Sequence, residues 1–596
     1  MPGLVGLITK LPRQIAEARL SRMVASLRHE TSYITGIWCD ESLGLYVGWV
    51  ERDEQAAACH FIRSEDRDLT LFLSGEVFPE FDLSSDKRSL LIQHAENGAC
   101  FPRRLNGLFQ GVLADRGNER VILFNDRYGM QRLYYRQSSD AFYFAAEAKA
   151  ILEVCPESRS IDPDGLAEFI SCGCALEDKT IFNGISVFPG GSAWVFKNGT
   201  LALKGSYFNP KEWEAQPQLD SESFYQELKS TFAASVPRYF DGRESVGVSL
   251  TGGLDSRMLM SWSGAAPDTL RCFSFGSAIR ESQDVKIGRR VAQACGQSHH
   301  VIPVGQQFLQ KFSCYAERTV FLTDGCVEVK HAPDLYVSEQ AAQIAPVRVT
   351  GNYGGEILRN VRAFKPVEPP PGLFNEGLTS HLARANETYS SLIGGHPLSF
   401  AVFRQAPWRQ HGLLALERTQ QNIRSPFLDN DIVQIIYRAP QSALMNSEIS
   451  LCLIADGSRE LRAIRTDLGL GGNPPGFIAA LQQGYFDFTF KAEYAFDYGM
   501  PDSFACVDGA MKRLHLERAF LGRHKFTHFR VWYRDDLSDY VREILLDSRT
   551  LARPYLERIA VKRIVQEHCM GRRNHTNAIH KLLTLEHIHR LFTDTR

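Results

Sequence analysis

The stretch "VSLTGGLDSRML" (248–259) constrains the fold more than any other part of this 596-residue chain. An apolar strand ends at Leu250, two glycines follow, and a helical run begins near Asp255. Glycines let backbone N–H groups approach a ligand because no Cβ intervenes. Those amides, with the N-terminus of the next helix, make an anion site. Thr251 and Ser256 add hydroxyl donors. Asp255 puts a carboxylate where it repels phosphate unless Mg2+ lies between them. The set suits a Mg2+–pyrophosphate group. It is not a Walker loop, because G-x-x-x-x-G-K-[ST] is absent. The plain alternative is a Gly-Gly turn between a strand and a helix, and the pattern around it argues against that.

Four apolar runs predict strands: "ESVGVSL" (244–250), "TLRCFSFG" (269–276), "HHVIPV" (299–304) and "APVRVTGN" (345–352). Between them, "SQDVKIGRRVAQACG" (282–296) predicts a helix with Val285, Gly288, Ala292 and Cys295 on one face. Ser282 is its N-cap and Gly296 its stop. Strand, helix, strand at this spacing implies a parallel sheet covered on both faces. From about 376 onward the chain reads as mostly helical.

The first 205 residues have a different character. Short β-like runs recur, among them "LTLFLSGEVF" (69–78), "GLFQGVLAD" (107–115) and "AFYFAAE" (141–147), with turn residues between them. Helical stretches near 10–28 and 86–97 interrupt them, so an α+β sandwich is expected. The polar segment 206–221, with Pro210 and Pro217, reads as a linker. A chain this long exceeds one core, and the division is 1–205, 206–221 and 222–596.

The net charge of −2 gives no sign of a nucleic-acid partner. No apolar run reaches the roughly 18 residues that span a membrane. The 13 cysteines are scattered without a C-x-x-C pair, which suits reduced thiols and a cytoplasmic location. His299 and His300 are adjacent on a strand and point to opposite faces, so they do not form a metal pair. The basic, aromatic run 512–534 reads as a solvated helix face. Oligomeric state is not legible here.

"SLTGGLDSR" resembles the S-G-G-x-D-S pyrophosphate loop of N-type ATP pyrophosphatases, and the whole chain resembles the asparagine synthetase family. "SGEVF" (74–78), "LNGLFQGVLAD" (105–115), "FNDRYGMQRLYY" (124–135) and "AAEAKAIL" (145–152) follow the family's glutaminase signatures in order. "FSFG" (273–276), "HH" (299–300) and "RSPFLD" (424–429) follow those of its synthetase half. The resemblance implies an N-terminal nucleophile-type α+β sandwich. A doubly wound α/β parallel-sheet (PP-loop ATPase) domain would follow, with a largely helical C-terminal part. It also implies ATP and Mg2+ as cofactors. A carboxylate, on a small molecule or a peptide, would be activated as an acyl-adenylate and passed to an amine or ammonia. Leu250, Thr251, Gly252, Gly253, Asp255, Ser256, Phe275 and Gly351 would bind ATP.

Departures from the family pattern matter as much. Its members place a nucleophilic Cys at residue 2, and here residue 2 is Pro2. Trp49 stands for an Arg that holds the glutamine carboxylate, and Ser74 for an Asn of the oxyanion site. Gly75, Glu76 and Asp86 are kept. β-Lactam synthetases and lasso-peptide cyclases show the same loss, so no glutaminase activity is expected. In "TGNYGGE" (350–356), Gly355 replaces a metal-binding Asp, and Glu356 is the carboxylate expected to share Mg2+ with Asp255. Tyr353 lies one position from a catalytic Tyr of β-lactam synthetases; the alternative is a Tyr packed in a glycine turn. In "RTDLGL" (465–470), Asp467 replaces a Lys that steadies the α-phosphate, leaving Arg465 or Arg257 for that work. Two other readings stay open: a macrolactam-forming peptide cyclase and an inactive ATP-binding scaffold.

Overall fold

Alternation of apolar residues along the N-terminal runs resolves into two stacked antiparallel sheets. The computed structural model describes residues 2–52, 59–64, 68–78, 98–242, 244–362, 364–472, 477–498 and 520–594. Among these, the first sheet runs in space Ser186–Val187, Tyr134–Gln137, Ala141–Ala145, Gly3–Thr9, Leu45–Glu51 and Ile34–Asp40. The second runs Thr200–Ser206, Ser192–Lys197, Arg120–Asn125, Gly107–Asp115, Leu69–Val77 and Cys59–Ser64. Leu4, Ile8 and Val47 of one sheet meet Phe72, Val112 and Leu123 of the other in a dry layer. The outer face of the first sheet is covered by the helix Arg13–Leu27, through Leu20 and Met23. The helix expected near 86–97 lies outside the described residues, as does Asp86.

The second half holds a parallel sheet in the order Ser298–Val304, Arg271–Ser277, Val246–Ser249, Val347–Val349 and Asn422–Arg424. Successive side chains serve opposite faces. Cys272 packs with Ile287 and Val291 of the helix Gln283–Ala294, and Phe273 belongs to the core that holds Leu335 and Val337. Ser282 caps Gln283–Ala294 by accepting the Val285 N–H at 3.4 Å, and Gly296 turns the chain with φ 64°. The fifth strand was not among those predicted. It carries one apolar residue, Ile423, between Asn422 and Arg424, so no apolar run marks it. Helices dominate from Glu376 onward.

The segment 206–221 is no free linker. Phe208 and Trp213 are buried, and the Arg127 guanidinium stacks over both rings at 4.5 and 4.8 Å. Two prolines and polar residues hid an aromatic anchor.

Within the parallel sheet, the chain steps outward one way through residues 271–304 and the other way through residues 347–424. The reversal lies between Val246–Ser249 and Val347–Val349, which pair directly. The loops that leave these two strands, 250–254 and 350–353, therefore flank the switch point, where ligands settle in open α/β sheets.

Candidate active site

A cleft of about 320 Å³ opens at that switch point. Leu250, Thr251, Asp255, Ser256, Phe275 and Gly351 line it. These are six of the eight residues expected to bind nucleotide; Gly252 and Gly253 belong to the same loop and are not among the cleft's lining residues. Gly351 has no room for a side chain, since a Cβ there would sit 2.6 Å from the Ser256 nitrogen. The two loops thus close on each other at the start of the helix Asp255–Ser261.

The loop amides are occupied by side chains of the protein. Gly252 N–H donates to Asp284 Oδ1 at 2.7 Å, Gly253 N–H to Thr251 Oγ1 at 3.3 Å, and Thr251 N–H to Ser256 Oγ at 3.4 Å. An anion would take over donors that are already aimed and spaced. Asp284 was not singled out in the sequence. Burial pushes its carboxyl up to about 6, against the lowering effect of the Gly252 N–H, and Asp467 adds a smaller rise.

Arg348 and Glu417 also line the cleft. Arg348 Nη1 donates to Glu417 Oε1 at 3.0 Å and its Nε to Ser249 Oγ at 3.1 Å, and its guanidinium lies 5.4 Å from the Phe275 ring centroid. Glu417 Oε2 accepts no hydrogen bond among the described residues. Burial raises the pKa of this carboxyl. Glu417 Oε2 is itself buried, so what the wall presents to a ligand is a cation fixed in place by a carboxylate. These residues are 69 positions apart, and nothing local marks either as functional.

Several predicted residues stand elsewhere. Tyr353 adopts φ 73° and its ring is 5% exposed, inside the hydrophobic core with Ile357 and Leu414. Asn352 lines the cleft in its stead. The left-handed turn at Tyr353 swings its ring inward, so the packed alternative describes it. Arg465 lies beside Gly472, outside the cleft wall. Arg257 is 1% exposed; its guanidinium donates to the Ile464 carbonyl and reaches that of Gly252 at 3.5 Å. Burial lowers it to about 10. It fastens the loop to the 464–467 segment and does not face the cleft.

The expected metal pair is not brought together. Asp255 gives both oxygens to Arg359, at 2.7 Å from Nη1 and 2.8 Å from Nη2. Glu356 accepts from Gln410 at 2.6 Å and Gln405 at 3.4 Å, both on the π-helical segment Ala401–Gln410, and lines a separate pocket with His396 and Tyr437. Among the described residues no group of three His, Cys, Asp or Glu could hold a metal. Mg2+ at a nucleotide site is held by one or two carboxylates together with the phosphates; with Asp255 taken by Arg359 and Glu356 by Gln405 and Gln410, this arrangement does not fit a Mg2+ shared by the two.

Beside the cleft, Pro2, Ser74, Gly75 and Glu76 line a second pocket with Arg418 and Arg424 of the second half, and the Arg424 carbonyl accepts the N–H of the cleft residue Thr350 at 3.0 Å. Trp49 is wedged between the sheets, 5.8 Å from the Phe72 centroid, and a Cβ at Gly36 would fall 2.1 Å from its ring. Buried Gln110 pairs in register with Ser74, and neither end of its amide has a partner among the described residues.

Residues 1–208 match the glutamine amidotransferase domain model, and residues 227–366 and 509–590 match the asparagine synthase model. An asparagine synthetase (glutamine-hydrolyzing) of Bacillus subtilis is 21% identical over 98% of this chain and 95% of its own length. A probable asparagine synthetase of Schizosaccharomyces pombe is 26% identical over 40% of this chain and 43% of its own. Asparagine synthetase 3 of Arabidopsis thaliana is 24% identical over 48% of each. No helix among the described residues is long and apolar enough to cross a membrane.

Proposed function

The chain belongs to the asparagine synthetase family of ATP-dependent amide-forming ligases, and from that premise we propose that it joins a carboxylate to an amine that it does not release from glutamine. The carboxylate attacks the α-phosphate of ATP, pyrophosphate leaves, and the amine displaces AMP from the acyl-adenylate. The observation that carries this reading is the cleft itself. An aimed set of loop amides and a helix N-terminus stand at the sheet's switch point, and the lack of a Walker Lys favours cleavage between the α and β phosphates.

The protein's work is positioning and charge. Amides of 251–253 and the Ser256 hydroxyl hold pyrophosphate. Leu250 and Phe275 flank the nucleoside. Arg348 supplies a cation at the cleft wall, held in orientation by Glu417 and Ser249. Mg2+ would neutralise nucleotide phosphates when bound.

Pro2, Trp49 and Ser74 support an amine from outside the chain's own amidotransferase half. If that amine is the N-terminus of the acyl-bearing peptide, the product is a macrolactam. It then weighs one water less than its precursor, which mass spectrometry reads directly. Incubation with ATP and a carboxylate–amine pair should yield AMP and pyrophosphate. Release of ADP and phosphate would refute the assignment. ATP that binds and is never split would leave a nucleotide-binding scaffold.

A further inference from the structure

We propose that Arg359 takes the place of a divalent cation as the counter-charge of Asp255, so that nucleotide binds this loop without a metal bridging to the protein's carboxylates. The inference rests on the nucleotide reading of the cleft and deepens it.

The guanidinium grips Asp255 through two parallel hydrogen bonds, and Nη1 also donates to Ser450 Oγ at 3.2 Å. This is the bidentate geometry in which Arg and carboxylate bind most strongly. The side chains of Arg359 and Asp255 are 17% and 25% exposed, so water screens the pair only in part. Gly354 makes the approach possible, because a Cβ there would lie 2.7 Å from Asp255 Cγ. Gly355 completes it. A Cβ at Gly355 would lie 3.2 Å from Arg359 Nη2, so the position where a second carboxylate would stand faces the guanidinium. The two features complement each other: Gly355 carries no carboxylate on the helix Gly354–Leu358, and Arg359 at its C-cap supplies a cation. Glu356 does not restore the carboxylate, being held by Gln405 and Gln410.

The electrostatic consequence is definite. A dication near Asp255 would share its carboxylate with a fixed positive charge and repel it. The Arg359–Asp255 pair is instead neutral as it stands. A triphosphate arriving at Thr251–Ser256 then meets no net charge from Asp255, which removes the reason for a bridging metal.

The test titrates ATP into the full-length protein by calorimetry, in excess Mg2+ and in excess EDTA. For the wild type, Kd should change less than about threefold between the two, well under the tenfold that 1.4 kcal/mol represents. Arg359→Gln should weaken binding in EDTA by about tenfold or more, the scale of a lost charge-assisted hydrogen bond, and Mg2+ should restore most of it. Adding Gly355→Asp to Arg359→Gln should create a site that binds Mn2+ in the absence of nucleotide, read by electron paramagnetic resonance. The wild type should bind none there. A tenfold or greater loss of wild-type affinity in EDTA would overturn the inference alone. Failure to bind ATP in either buffer would overturn the nucleotide reading and the inference with it. The wild-type comparison decides by itself, so a variant that does not fold leaves the test standing.

Discussion

Asp284 sits against the loop that is to hold phosphate, and its charge should govern how tightly phosphate binds. Its Oδ1 takes the Gly252 N–H, a donor that pyrophosphate would need. Burial raises its pKa to about 6, above the roughly 3.9 of a free carboxyl. A carboxyl whose folded pKa lies above its unfolded value stabilises the fold most below about 4, and that contribution is lost as pH rises through about 6. Two outcomes follow for Asp284→Asn, which keeps an acceptor for Gly252 and removes the charge. Its denaturation midpoint should exceed the wild type's above pH 6, and the difference should vanish near pH 4. Its ATP affinity should gain most over the wild type at about pH 7.5, by roughly tenfold, the equivalent of about one pKa unit, and converge with it near pH 5. Parallel profiles across that range would mean that Asp284 does not face the phosphates.

At the scale of elements, the site depends on how closely the helix Gly354–Leu358 approaches the helix Asp255–Ser261. Only a missing Cβ at Gly354 permits the contact, with Asp255 Cγ 2.7 Å from where it would be. Gly354→Ala should force the helices apart, at a strain of about 1–3 kcal/mol, and weaken ATP binding about tenfold. Gly395→Ala is the control: nothing lies within 4 Å of a Cβ there, and binding should not change. Equal affinity in both variants would show that the helix spacing does not position the loop. The helix Gln283–Ala294 illustrates the opposite case. Its cap, apolar face and stop are all local, so Ser282, Val285 and Gly296 could be read from the sequence alone.

On the scale of the whole molecule, the two halves are not separable bodies. One hydrophobic core contains Val5, Leu7 and Tyr46 of the first sheet together with Leu335, Leu545 and Ile588. Another joins Leu73, Phe109 and Phe124 to Val248, Ile432 and Leu453. Polar contacts cross as well: Tyr33 donates to the Thr419 carbonyl at 2.9 Å, Asn106 to Asp429 at 3.0 Å, and Arg424 to Glu76 at 2.8 Å. The amidotransferase half therefore serves as a packing surface for the second half, a role that does not require it to hydrolyse glutamine. The purified protein should release no glutamate from glutamine beyond a heat-killed control. Pro2→Cys should not change that: the resemblance puts Trp49 in the place of the family's carboxylate clamp, and its indole is packed against Gly36 and Phe72. Glutamate release by Pro2→Cys would show that the pocket still orients glutamine.

The sequence by itself determined what depends on neighbours in the chain. It carried the strand–Gly-Gly–helix loop at 250–256, the cap at Ser282, the alternation of the antiparallel runs and the missing nucleophile at Pro2. Each is a matter of residue type and short spacing, which backbone sterics and periodicity translate directly. Tertiary structure decided the rest. Arg348 and Glu417 meet only because distant strands and helices converge on the cleft. Tyr353 faces the core because one left-handed residue turns it there. Glu356 and Asp255 part company because Gln405, Gln410 and Arg359 claim their oxygens. A side chain's partner is set by where folding brings opposite charges and open donors together, and spacing along the chain does not encode that distance.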